Sequence, residues 1–146
     1  GGAPMDQNVY QCVKGLSAAE ATAKEDAVII MCAALADGAG GDSFYKALKE
    51  CSSPAALYRE IQTTPQDKTK PDQWEYQILS RILIKHKVIF VTERENREMI
   101  ENMKMIYAPD IKTAMETARN IKGSDAALTI IPEGISIVVK ADIKEQ

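Results

Sequence analysis

The chain has 146 residues and a mass of 16.0 kDa, with 45% hydrophobic and 27% charged residues. That is one globular domain, able to bury roughly two-thirds of its unfolded surface without a metal or disulfide. The 18 basic and 21 acidic residues leave a net charge of -3 and a pI near 5.3. With no local Lys/Arg cluster, this argues against a nucleic-acid partner, because little is available to neutralise phosphates. A small anion needs only one well-placed cation and stays open. No apolar run approaches the ~18 residues of a membrane span, and no charged-then-apolar signal pattern opens the chain. The expected setting is cytoplasmic, with no membrane partner.

The first stretch, residues 4–24, reads as helix in two pieces: Gly15 closes the first, and Ser17 with Glu20 forms a capping box for the second. Residues 27–34 (AVIIMCAA) read as a central parallel strand buried on both faces. A flexible turn, Asp37-Gly38-Ala39-Gly40-Gly41, leads into an amphipathic helix through Phe44 and Leu48. Ser53-Pro54 starts another helix, cap then proline. Residues 63–71, holding Pro65 and Pro71, form the clearest loop. Asp72 and Glu75 are a capping pair for a helix through Trp74, Ile78 and Ile82. Residues 87–91 (KVIFV) read as a strand, with Thr92 and Glu95 capping the helix after it. Residues 105–107 are a short strand. Asp110 caps a helix that Gly123 stops. The end reads as a hairpin, residues 128–131 and 135–140 about a turn at Pro132-Glu133-Gly134. Alternating strands and helices imply a three-layer α/β fold, a mostly parallel sheet flanked by helices with that C-terminal hairpin.

Cys12, Cys32 and Cys51 stand about twenty residues apart without a CxxC or Cys-His cluster, so neither a zinc site nor a disulfide framework is supported. Cys32 reads as a small buried hydrophobe inside its apolar run. His86, the only histidine, ends a helix, where a capping or surface role suits the helix dipole. Chemistry needing two histidines cannot be assembled from this chain alone, and no residue here is expected to bind metal.

Tyr10 and Lys14 have the YxxxK spacing of short-chain dehydrogenases, but no Gly-rich nucleotide fingerprint precedes them. Gln11 and Lys14, three apart, share one side of a helix. They suit either a solvated surface or a carboxylate held by the lysine and oriented by the amide. The turn holding Asp37, Gly38, Gly40 and Gly41 lies where a strand hands over to a helix, as plain turn geometry, a cleft wall or an interdomain contact. Trp74, at a helix mouth after a long loop, fits core packing or the covering of a flat ligand.

The opening GGAPMDQNVYQCVKGLSAAEATAKEDAVIIMCAALADGAGGDSFY, the segment PDQWEYQILSRILIKHKVIFV and the ending IIPEGISIVV resemble the carboxy-terminal domain of the nickel-dependent lactate racemase family. The resemblance runs from Gly1 to about Val139. It implies a two-domain isomerase that racemises or epimerises a 2-hydroxy acid such as lactate in the interdomain cleft. The cofactor implied is a nickel pincer nucleotide tethered to a lysine of the amino-terminal domain. That domain would also supply the metal-ligating histidine and two histidine bases, with hydride taken from the alpha carbon and returned to either face. Gln11 and Lys14 match the family's substrate-side glutamine and lysine, and Trp74 its active-site tryptophan. Ala39 stands where relatives commonly carry histidine. The expectation is a single substrate-side domain, residues 1–146, inert by itself, with Gly1-Gly2 fitting the interior of a longer protein. The alternatives are a noncatalytic α/β binding module, or a family member acting on another 2-hydroxy acid.

Overall fold

Short apolar runs set the frame of the molecule. In the structure, a computed structural model that describes residues 2–136, three of them become β1 (Val28–Cys32), β2 (Lys87–Val91) and β3 (Ile106–Ala108). They pair as one parallel sheet in the order β1-β2-β3, with Val28 beside Lys87 and Ile89 beside Ile106. The central strand is therefore β2, where the sequence pointed to β1. An apolar run reports that both faces are covered, and says nothing of how many strands lie alongside.

Successive side chains on a strand point to opposite faces, so each strand feeds two cores. Ile29, Val88 and Phe90 join the larger one, under α1 (Val9–Glu20), α2 (Asp42–Glu50), α3 (Pro54–Thr63) and α4 (Gln73–Lys85). Ile89 and Ala108, with Val28, Ile30 and Val91 beside them, join a smaller one under Ala114. Ala114 belongs to α6 (Ile111–Lys122), while α5 (Arg97–Asn102) buries Ile100 in the larger core and leads into β3. Helices thus cover both faces of an open α/β sheet, as expected. No described helix is long and apolar enough to cross a membrane.

Capping decides where several helices begin. Ser53 accepts the Ala56 N–H at 3.1 Å and Asp110 that of Thr113 at 2.7 Å, while Gly123 ends α6 at φ 89°. The three Ser/Thr/Asp-x-x-Glu pairs behave otherwise. α1 runs unbroken through Gly15 and Ser17, because Gly15 serves close approach: a Cβ there would meet Met31 Cε at 3.0 Å. Glu20 is drawn away by Arg81 of α4, which donates to it at 3.1 and 2.6 Å, and by Lys85 at 3.4 Å. Asp72 sits in the left-handed region at φ 60° and gives no side-chain cap. The Thr92 hydroxyl donates to the Ala34 carbonyl at 3.3 Å, and a 3-10 turn at Arg94–Asn96 precedes α5.

Three further expectations need correction. Cys32, the last residue of β1, is exposed at the carboxyl end of the sheet rather than buried. His86 does cap α4, its N–H donating to Ile82 O at 2.8 Å, but the side chain is buried rather than on the surface. Residues 128–131 form no strand and expose Leu128 and Ile130, lacking a described strand to pair with. The rest of the proposed hairpin, residues 137–140, lies outside the described residues.

Candidate functional site

The first three N–H groups of any α-helix lack intrahelical partners. In α1 all three are met. Asn8, in extended conformation, accepts the Gln11 N–H through Oδ1 at 2.9 Å. The Val9 N–H donates to Gly38 O at 3.1 Å, and the Tyr10 N–H to Ala39 O at 3.0 Å. The glycine-rich turn therefore caps the helix that carries Gln11 and Lys14. Gly40 is required there twice over: its φ is 86°, and a Cβ would lie 2.5 Å from Asn8 Cγ. Asp37 anchors the turn by donating its N–H to Gln7 O at 2.7 Å. The same turn borders an open depression of about 540 Å³ lined by Asn8, Asp37, Ala39, Gly41 and Tyr45.

Above this cap, Lys14 Nζ donates to Gln11 Oε1 at 2.5 Å, so the two side chains share one face of α1. Lys14 is exposed and Gln11 half-buried. The start of α4 meets the same helix at Tyr10. Trp74 holds its ring edge-on to Tyr10, with centroids 5.7 Å apart and planes at 89°, and Tyr10 also meets Phe44 at 5.4 Å. At 55% exposure Trp74 is no core residue; it stands as a flat wall supported along one edge. A Cβ on Gly41 would approach Asp72 Oδ2 at 3.2 Å and Tyr10 Cδ2 at 3.6 Å, so the turn also abuts the start of α4.

The next residue, Glu75, is 1% exposed, with Oε1 accepting no hydrogen bond from the described residues. Burial pushes its carboxyl up to about 7, with Lys14 pulling it down and Asp72 adding to the rise. Burial also raises the Tyr10 hydroxyl, and the charges of Glu75 and Asp72 raise it further. Burial lifts the Cys12 thiol to about 12, which makes it inert as a nucleophile.

The structure thus pairs Gln11 with Lys14 on α1, caps that helix with the turn, and sets Trp74 against Tyr10 of the same helix. Three contributors were missed by sequence reading: Asn8 as the cap, Tyr10 as the link between α1 and Trp74, and Glu75 as a buried carboxyl. Asn8 did carry a signal, standing directly before an apolar helical run. A separate depression of about 350 Å³ at the carboxyl ends of the strands, lined by Asp6, Cys32, Thr92 and Glu93, contains none of the predicted site residues.

Fold and surface together define an open α/β domain that presents a cation, an amide and an exposed indole on one side. Residues 1–139 match the family model described as the lactate racemase C-terminal domain, and the chain belongs to that family. It is 46% identical over 140 residues to the lactate racemases of Thermoanaerobacterium thermosaccharolyticum and Lactiplantibacillus plantarum, covering 96% of this chain and 33% of each relative. The solved lactate racemase apoprotein from T. thermosaccharolyticum superposes with a TM-score of 0.93 at 46% identity, over 96% of this chain and 34% of that one. The chain spans about a third of the length of the relatives it matches.

Proposed function

We propose that this chain is the substrate-side, carboxy-terminal domain of a cytoplasmic lactate racemase-like isomerase, which interconverts the enantiomers or epimers of a 2-hydroxy acid. The observation that carries this reading is the pairing of Lys14 with Gln11 on α1, the helix whose Tyr10 packs against the exposed Trp74, in a chain of this family. Lys14 receives the substrate carboxylate in a charge-assisted hydrogen bond, using donors that Gln11 does not occupy. The Gln11 amide orients the substrate, donating to a carboxylate oxygen or accepting from the 2-hydroxyl. Trp74 covers the flat side of the bound acid and keeps water from it. Anchored by carboxylate and hydroxyl, the substrate keeps carbon 2 in place while its hydrogen leaves and returns.

Family resemblance assigns that hydrogen transfer to a nickel pincer nucleotide and histidine bases of an amino-terminal domain. The described residues do not fit such a centre: no three His, Cys, Asp or Glu side chains gather to hold a metal, and the sole histidine is buried at the end of α4. This chain's part is to bind and orient. By itself the chain is expected to turn over no substrate.

The test uses the whole protein, loaded with nickel cofactor and incubated with a panel of single-enantiomer 2-hydroxy acids. Chiral chromatography should show one acid interconverting. If lactate stays unchanged while another acid racemises, the reaction class stands and the substrate is corrected. No interconversion of any acid at full cofactor loading would reject the racemase reading and favour a binding module.

A further inference from the structure

We propose that Tyr10 is a positioning residue for Trp74: set between the buried ring of Phe44 and the exposed indole, it holds that indole in one orientation. The role rests on the reading of Trp74 as a wall of the substrate site.

The two ring–ring contacts among the described residues share Tyr10. On its inner side Phe44 of α2, fully buried, meets it with centroids 5.4 Å apart and planes at 70°. On its outer side stands Trp74 of α4, at 5.7 Å and 89°. Both contacts have the edge-to-face geometry that aromatic pairs prefer. Tyr10 is itself fixed. Its N–H donates to Ala39 O at 3.0 Å, and a Cβ on Gly41 would lie 3.6 Å from its Cδ2. Three rings from three helices thus carry a fixed orientation from the core out to the surface.

Trp74 has need of that support. It is the one aromatic among the large apolar side chains exposed in the described residues. An indole 55% exposed is free to turn about its two side-chain torsions unless a neighbour selects one rotamer. The contact with Tyr10 leaves more than half of the indole in water, so it contributes orientation more than burial. The other tyrosines near the surface are held differently. Tyr45 accepts a hydrogen bond from Asn102 Nδ2 at 3.0 Å, and Tyr107 lies under Arg97 at 5.8 Å. Tyr10 has a ring on each side, and its own ring makes both contacts.

The consequence falls on the proposed reaction. A hydrogen that leaves carbon 2 and returns to it requires an acid that stays in place between the two events. A fixed indole keeps the acid there; a swinging one lets it shift while Lys14 still holds the carboxylate. Tyr10 acts through Trp74, so loss of its ring should lower kcat and leave KM nearly unchanged.

The test labels the whole protein with 5-fluorotryptophan and identifies the Trp74 fluorine signal as the one lost in Trp74→Phe. In the unsubstituted protein that signal should stand displaced from the position of the free amino acid. Tyr10→Leu should return it most of the way and lower kcat/KM by about tenfold, through kcat. Tyr10→Phe keeps the ring, so it should keep the signal and hold kcat/KM within about twofold. A signal unmoved by Tyr10→Leu, or a kcat that survives the moved signal, would overturn the proposal. So would a Tyr10→Phe as impaired as Tyr10→Leu, which would assign the role to the hydroxyl. If Tyr10→Leu does not fold, the unsubstituted protein decides: a Trp74 signal at the free position means an unheld indole and overturns the proposal. The fluorine signals need no turnover. A held indole in a protein that racemises no acid therefore counts against the racemase reading and not against the ring contact.

Discussion

The starts of α1 and α4 meet at one surface and are finished in opposite ways. At α1 every orphan N–H has a partner, from Asn8 Oδ1 and from the carbonyls of Gly38 and Ala39. At α4 the N-cap Asp72 is left-handed and gives no side-chain cap, and three residues on Glu75 buries a carboxyl with an unpartnered oxygen. The first end is settled and holds Gln11 and Lys14 in place. The second keeps polar capacity in reserve, beside the exposed Trp74. Stability and function are thus divided between two helix ends that touch through Tyr10 and Gly41.

Substitutions should break this contrast in a graded order. Gly40→Ala strikes the settled end hardest, combining a left-handed alanine with a collision at Asn8. It should cost about 3 kcal/mol in denaturant unfolding. Glu75→Gln acts on the unsettled end and has the opposite sign. The folded carboxyl titrates near 7 against an ordinary 4.5. The folded chain therefore binds a proton that the unfolded chain lacks, and stability falls as pH rises through that window. The variant escapes this loss, so at pH of about 8 it should be more stable than the parent chain by about 2 kcal/mol, with little gain at pH of about 4. Equal effects at both pH values would contradict the ionisation argument. Asn8→Ala removes one cap and should cost about 1 kcal/mol. Trp74→Ala, at a side chain 55% exposed, should shift stability by less than about 0.5 kcal/mol while depressing turnover of the whole enzyme.

Much of this was legible where the cause is local. The β2 run KVIFV, the Ser53-Pro54 start and the Asp110-to-Gly123 helix follow from propensity and capping within a few residues, and the structure has all three. The Ser17/Glu20, Asp72/Glu75 and Thr92/Glu95 pairs carried the same local signal and did not cap. Each is overruled by the tertiary fold: Glu20 by Arg81, Glu75 by burial, and Thr92 by the Ala34 carbonyl. Gly15 resembles a helix stop until Met31 is seen against it. For the site, the spacing of Gln11 and Lys14 already placed them on one face. The contact of Tyr10 on that helix with Trp74 depends on how α1 packs on α4, which no short window of sequence contains.

The most direct test of the central claim, that this surface holds the substrate carboxylate, is Lys14→Ala in the whole cofactor-loaded enzyme, with kcat/KM and thermal unfolding measured side by side. The side chain is exposed and bonds only to Gln11 among the described residues, so unfolding should shift little. Turnover of the 2-hydroxy acid should fall by about 100-fold or more, the loss expected of a charge-assisted contact to a carboxylate. An enzyme that keeps its folding and its kcat/KM without Lys14 would contradict the account and move the substrate to another face of the domain.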